Sequence, residues 1–517
     1  MQRLRDCVMT TAFVFQRPAP ESSVNKRPRQ MPRRHPGPRG RAAAHKNSKR
    51  TFCGTALEFV ALFLGQSSIH GLNHLVAEKR TLLERFVWSS IVVLAIFGSV
   101  WVSFDIWRHY DGSPSAISME RNFMDWTTDM PSGTLCPSDR VDEEKLEAYV
   151  DSLKDVEDKE KVKNFLRMLA SATYENFKDM TDIPKNPIKS DEYLKAILEI
   201  RKDLHYQYFT SDASRDPNSV ANVVSVTELG VCYTYNTRVA IYNNPDYWAQ
   251  NNWSIVPYDT NKKLQGHPVT GPMKLNLIAI EGKDVMFYYH SPYDVLDASN
   301  TKVSIPEDKI RTVQVKALST HTTAEAQALS IKQRKCRFPD ENDLRTSPVY
   351  TFNFCRMECR RRIAWRKCKC IPHFYRKTGR IKVCDVHGMQ CLGKYSELLT
   401  KLVDPITGRK YPCNCLPECD QVSFYLEEED VKPNILKIGA SVECGIQNYP
   451  RMRLKRDVIF GFGDLWVSIG GTGGLFLGCS VLSIIEIFYF FTIRLFIYIL
   501  EIRRGTRPVL QQKPGAF

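Results

Sequence analysis

Two stretches of the 517-residue chain break away from the mixed apolar and polar pattern around them. The first, Phe86–Phe104 (FVWSSIVVLAIFGSVWVSF), runs 19 residues without a charge. The second begins near Leu465, runs to Ile493, and stays apolar to Leu500 apart from Arg494. A helix needs about 20 predominantly apolar residues to cross a bilayer, so both are candidate spans. Between them the pattern is that of a folded domain in water. Glu143–Met180 and Asp191–Tyr208 are charged and periodic, which predicts amphipathic helices. Val220–Asp246 and Leu275–Tyr289 are rich in Val, Ile, Thr and Tyr, which predicts strands. The N-terminal VMTTAFVF is too short for a span and lacks a cleavage site, so no signal peptide is expected.

Charge orients the spans. The formal net charge is +15, and residues 1–50 alone hold 13 Lys and Arg against 2 Asp and Glu. Arg503, Arg504, Arg507 and Lys513 follow the second span. Positive flanks stay cytoplasmic, which puts both termini inside a plasma membrane and the intervening domain outside. The expected division is residues 1–85 as a cytoplasmic basic tail with a pre-membrane segment, 86–106 as the first span, 107–464 as the outer domain, 465–494 as the second span, and 495–517 as a cytoplasmic tail. A basic tail also raises nucleic acid as a partner. This charge sits on a Pro-rich segment beside a membrane, so anionic lipid heads are the expected partner and nucleic acid is not. Asn252-Trp253-Ser254 is a glycosylation sequon, and an outer location permits its use.

Thirteen of the 16 cysteines lie between the spans, and ten of them crowd into Cys336–Cys419. Metal ligation by Cys368-Lys369-Cys370 with His373 or His387 is one reading. The paired CxxC knuckles of a zinc site are missing, and thiols outside the cell oxidise, so disulfides are expected. Spacing alone leaves their connectivity open.

FCRMECRRRIAWRKCKCIPHFY followed by YPCNCLPECD resembles the thumb region of the degenerin/epithelial sodium channel family. SSIHGLNHL before the first span and GGLFLGCS in the second are similar to that family's motifs as well. TELGVCYTYN and QRKCRF look most like its arthropod pickpocket branch. The resemblance covers roughly Ser67 to Arg494. It implies a trimeric membrane protein whose two helices flank a disulfide-rich α+β domain with a hand-like finger, thumb, palm, knuckle and β-ball, the thumb at about 336–419. It also implies a nested ladder: Cys336 with Cys419, Cys355 with Cys415, Cys359 with Cys413, Cys368 with Cys391, Cys370 with Cys384, and Cys136 with Cys232. Cys444 is left unpaired.

The second span poses its own question, because it holds both many glycines and a carboxylate. Gly470, Gly474 and Gly478 are spaced to form one flat stripe on a helix. Close packing of membrane helices explains such a stripe. It does not explain Glu486, whose charge costs on the order of 2.5–3.5 kcal/mol in a membrane. A structural Glu paired with Arg494 is one account; a water-filled path lined by Gly470, Gly471, Gly474 and Glu486 is the other. The family resemblance implies that Gly478-Cys479-Ser480 is the selectivity filter. It implies that His70-Gly71 is a gating motif that re-enters the membrane from below, and that Val467 stands where a small residue lets the pore close. Acid-sensing relatives carry an Asp where this chain has Tyr489, and an aromatic before the first thumb cysteine where this chain reads ALSIKQRKC.

The reading is a passive, sodium-selective, amiloride-sensitive cation channel, a homotrimer or a heterotrimer with related subunits. Its conducted ion is Na⁺ and no cofactor is implied. Nucleophile–base motifs, phosphate loops and HExxH helices are missing from the sequence, so no enzyme is expected. An ATP-gated purinergic channel shares the two spans and the cysteine-rich exterior, but neither this cysteine order nor the Gly-x-Ser triplet. A two-span adhesion or scavenger receptor needs no Gly478-Cys479-Ser480 or Glu486.

Overall fold

The computed structural model describes residues 52–77, 80–154, 156–183, 186–210, 222–250, 253–257, 264–279, 284–300, 302–435 and 439–503. Asn252, the first residue of its sequon, therefore lies outside the described residues. The chain divides into two units, residues 1–63 and 64–517. The described part of the first unit belongs to the helix Phe52–Gln66; the rest of the fold is the second.

The first apolar stretch is a single helix, Leu82–Gly112, of 31 residues. It extends past both ends of the charge-free run because its start is capped. Thr81 Oγ1 accepts from the Glu84 amide, and the Glu84 carboxylate accepts from the Thr81 amide at 3.1 Å. Leu94, Phe97 and Trp101 are all more than half exposed. A helix that shows large apolar groups to its surroundings is built for lipid or for neighbouring protein. The second stretch is not one helix. It forms Phe462–Leu477, a break, then Val481–Tyr489 continuing through a π-helical turn at Phe490–Arg494 into Leu495–Arg503.

Strands tie the two membrane segments together. Ser115–Glu120 leaves the first helix and Arg453–Val458 leads to the second, and the two pair antiparallel with Ser115 opposite Val458. They open a seven-stranded sheet that continues through Lys309–Thr322, Ser441–Ile446, Met273–Ala279 and Tyr206–Thr210, with Gln421–Pro433 also paired to Lys309–Thr322. A five-stranded antiparallel sheet runs Val303–Ile305, Val285–His290, Ser132–Pro137, Gly230–Tyr235, Asn222–Thr227. One apolar core draws Leu135, Phe287, Val313, Val315 and Leu277 from both sheets. A second holds Leu146, Leu166, Phe177, Phe374, Leu392 and Leu399 from the helices beside them.

The structure corrects three expected elements. Glu143–Met180 is two helices, Glu143–Ser152 and Lys159–Ala170, because Asp158 caps the second one anew by accepting from the Lys161 amide at 3.1 Å. The expected helix through Tyr208 ends at Ile200; Tyr206–Thr210 instead pairs antiparallel with Met273–Ala279. Local periodicity gives way there to a tertiary partner. The expected strand through Asp246 ends at Tyr235, since Asn236 is left-handed and Asn244 with Pro245 starts a short helix.

Six disulfides are present among the described residues: Cys136–Cys232, Cys336–Cys419, Cys355–Cys415, Cys359–Cys413, Cys368–Cys391 and Cys370–Cys384. Their geometry follows from element pitch. Cys355 and Cys359 lie four residues apart on the helix Phe352–Cys368, an advance of about 6 Å. Cys413 and Cys415 lie two apart on non-helical chain across the left-handed Asn414, and each bonds one of that helical pair. Cys444 is a free thiol buried on Ser441–Ile446, pushed up to about 12 by burial.

Arg360 lies fully buried on the same ladder helix. Its guanidinium donates to Glu228 at 2.8 Å, to Asp297, and to the carbonyls of Leu399 and Thr400. Tyr375 also donates to Glu228. Burial pushes the Glu228 carboxyl up, against the pull of Arg360. Burial works the same way on Asp297, but Arg360 and Arg356 together hold it below the usual carboxylate range. The cluster locks the ladder helix to the turn after Asn222–Thr227. Arg360→Ala leaves two carboxylates buried without their shared cation, which costs about 3–5 kcal/mol. The expected outcome is a clear fall in the thermal midpoint of the purified full-length chain, with the exposed Arg380→Ala unchanged within about 0.5 kcal/mol; equal midpoints for the two variants would remove the cluster's structural role.

Candidate functional site

The second membrane segment breaks where its sequence runs out of side chains. Phe462–Leu477 starts at Gly461, whose amide donates to the Asp464 carboxylate at 2.8 Å. It ends because Gly478 adopts a left-handed φ of +63°. The Gly478 amide then donates to Gly474 at 2.9 Å and the Cys479 amide to Gly473 at 3.3 Å. Ser480 is extended and restarts the helix as N-cap of Val481–Tyr489, its Oγ accepting from the Ser483 amide. Gly478-Cys479-Ser480 is thus a non-helical connector between two half-helices. Gly470 and Gly474 share a helix face as spaced. Gly478 does not continue that stripe, because it is the residue that ends the helix.

The pre-membrane segment plugs into this break. The His70 amide donates to the Leu477 carbonyl at 3.0 Å, satisfying a group that the break has freed. The His70 ring lies against Gly478, where an added Cβ would stand 2.0 Å from Nδ1. Gly71 turns the chain with a φ of +90°, and a Cβ there would meet Val92 of the first membrane helix at 3.0 Å. His74 then packs on Trp88 with ring centroids 4.3 Å apart. The two membrane segments touch where Gly98 leaves room for the Phe476 ring.

Glu486 is held by the same segment. Its carboxylate accepts from the Ser68 amide at 3.1 Å and from the Ser68 hydroxyl at 2.6 Å. Ser68 and Ser483 hydroxyls lie 2.9 Å apart. Glu486 therefore engages hydroxyl and amide donors nearly two turns past the connector, and its partner is Ser68 rather than Arg494. Sequence reasoning did not single out Ser68 or Ser483; only the fold reveals that SSIHGL meets SxxxxxE. Val467, Gly470 and Gly471 are exposed on the half-helix before the break, and space is open where side chains on the two glycines would be.

A second contact joins the outer domain to the first helix. The segment just before Cys336 lies on that helix's end: Lys332 pairs with Asp111, Gln333 Nε2 donates to the Tyr110 carbonyl at 3.2 Å, and Lys335 Nζ donates to Ser113 Oγ at 2.6 Å. Phe460, entering the second segment, packs edge-on against His109 and Tyr110. Polar donors here stand at the junction where no aromatic precedes the first ladder cysteine.

These features define a two-span membrane protein with a disulfide-stapled domain between its spans and a broken second span plugged by its own pre-membrane segment. The family model described as "Amiloride-sensitive sodium channel" matches residues 63–490, and the chain belongs to that family. It is 22% identical to Pickpocket protein 28 of Drosophila melanogaster over 516 residues, covering 87% of this chain and 81% of that one. Pickpocket protein 19 of the same fly is 22% identical over 471 residues (82% and 88%), and its Sodium channel protein Nach 21% over 481 (83% and 86%). A cryo-EM structure of a proton-activated chloride channel overlays with a TM-score of 0.24 at 6% identity, covering 80% and 96%, too loose a match to bear on the fold.

Gly478→Ala meets two separate penalties, a left-handed backbone costing roughly 1–2 kcal/mol for an L-residue and the clash with His70. His70→Ala should relieve only the second. In a double-mutant cycle on thermal midpoints the two changes are expected to be non-additive, with His70→Ala softening Gly478→Ala. Strict additivity would mean that the ring does not rest on the glycine.

Proposed function

We propose that this chain forms a sodium-selective, amiloride-sensitive channel, assembled as a trimer in the plasma membrane with both termini cytoplasmic. The observation that carries the reading is the connector Gly478-Cys479-Ser480. Non-helical backbone at membrane depth persists only where it is buried in protein or lines water. Three such connectors around an axis give a ring of backbone carbonyls and Ser480 hydroxyls, able to replace water around a partly dehydrated cation. Gly478 supplies the left-handed turn that the connector needs. The reading has further support in the basic flanks of both spans and in the family to which the chain belongs.

Conduction is passive, and the outer domain biases an open–closed equilibrium. Two joints suit that role. The junction of Lys332, Gln333 and Lys335 with the end of the first helix links the ladder to the membrane. The seat of His70 and Ser68 on the broken second span links the pre-membrane segment to the filter. A stiff ladder makes movement at its tip felt at its base. Assembly with itself or with related subunits fits the same geometry.

Oocytes expressing this chain, alone or with a pickpocket relative, are expected to pass an inward Na⁺ current. It should vanish when a large organic cation replaces Na⁺ and fall with amiloride; surface protein with no such current under either expression would overturn the reading. Ser480→Val is expected to shift the Na⁺/K⁺ permeability ratio at unchanged surface level, and an unmoved ratio would remove Ser480 from the filter. Val467→Ala should lower the resting current, since a smaller side chain lets the pore close; a resting current equal to wild type removes Val467 from the gate.

A further inference from the structure

The ladder helix has a second face that the channel reading leaves unused. A cavity of about 690 Å³ opens between Phe352–Cys368 and the chain around Asp343–Arg345. Its wall includes Cys355 and Cys413, one cysteine from each of two neighbouring disulfide rungs, so it is covalently fixed. Five arginines line it: Arg337, Arg345, Arg361, Arg362 and Arg366. Only two carboxylates do, and both are already taken. Asp343 pairs with Arg337 at 2.9 Å, and Glu358 with Arg361 at 2.9 Å.

Three guanidiniums are left without a carboxylate among the described residues. Arg366 donates to the neutral Tyr411 hydroxyl at 3.2 Å. Arg345 and Arg362 are exposed and have no ion pair there. Arg362 and Arg366 stand four apart on the helix, a like-charge pair that weakens it unless an anion lies between them. Trp365, between them in sequence, is 47% exposed at the same cavity and presents a flat apolar ring there, with Lys369 Nζ 5.3 Å from its centroid. The volume falls within the range of about 300–1,000 Å³ typical of small-molecule sites.

We propose that this cavity binds a small organic anion with two or more acidic groups on a flat apolar body. The acidic groups meet Arg345 on one wall and Arg362 and Arg366 on the other, and the body lies on Trp365. Guanidinium forks bind carboxylate, sulfate and phosphate oxygens in pairs, and they stack on aromatic planes. Such a ligand bridges the ladder helix and the loop before it, and so bears on the part of the domain that rests on the first membrane helix.

The test is titration calorimetry on the purified full-length chain in detergent with two probes, citrate and 1,5-naphthalenedisulfonate. Saturable binding of the disulfonate at one site per chain is expected. Arg345→Glu with Arg362→Glu should weaken it at least tenfold, while Arg380→Glu, exposed and outside the cavity, should leave it unchanged. Trp365→Leu, a surface change that spares the charges, should weaken the disulfonate and not citrate. The proposal is overturned if neither probe binds saturably to the wild-type chain, or if Arg380→Glu weakens binding as much as the cavity variant does.

Discussion

Every backbone polar group at membrane depth needs a partner, and that constraint organises the lower half of this molecule. Ending a helix at Gly478 frees carbonyls that lipid cannot satisfy. The chain answers with its own atoms. Gly473 and Gly474 accept from the connector, and Leu477 accepts from His70. A protein that breaks a span must therefore supply a plug, and the residues before the first span are that plug. The glycine that makes the break and the histidine that fills it form one device, though they lie at opposite ends of the chain.

The same logic of fixed partners holds in the outer domain by other means. The larger apolar core takes in Phe354, Met357 and Ile363 of the ladder helix, and the ladder itself is covalent. Stacked crosslinks restrict a segment whose exposed face is too charged to fold by apolar burial alone. Arg360 then docks that stiffened helix onto the five-stranded sheet through Glu228 and Asp297. Like the connector, it is a costly feature that persists because each of its polar atoms is answered. The result is a crosslinked domain whose contact with the first membrane helix runs through Lys332, Gln333 and Lys335.

Much of this was legible in advance. The two apolar runs, the basic flanks and the crowded cysteines of Cys336–Cys419 are local or compositional signals, and they read directly. The family resemblance pointed to His70-Gly71 as a gating motif and to Gly478-Cys479-Ser480 as a filter. What it could not give was their contacts. Glu486 illustrates the gap. Its cost in a membrane marks it as partnered, yet the choice between Arg494 on its own helix and Ser68, 418 positions away, is a matter of how two segments meet. Arg360 is the reverse case. In FCRMECRRRIAW it is one of three adjacent arginines, and nothing local says that Arg360 and Arg361 are buried while Arg362 is exposed.

By itself, then, the sequence determined where the two apolar runs lie, the charge of their flanks and the crowding of cysteines between them. Those follow from hydropathy, charge and composition, which act residue by residue. The tertiary structure decided where Phe462–Leu477 stops, which donor fills the break, which strand claims Tyr206–Thr210 and which arginines are buried. Those depend on partners far away in the chain, and only the closed fold brings them within bonding distance.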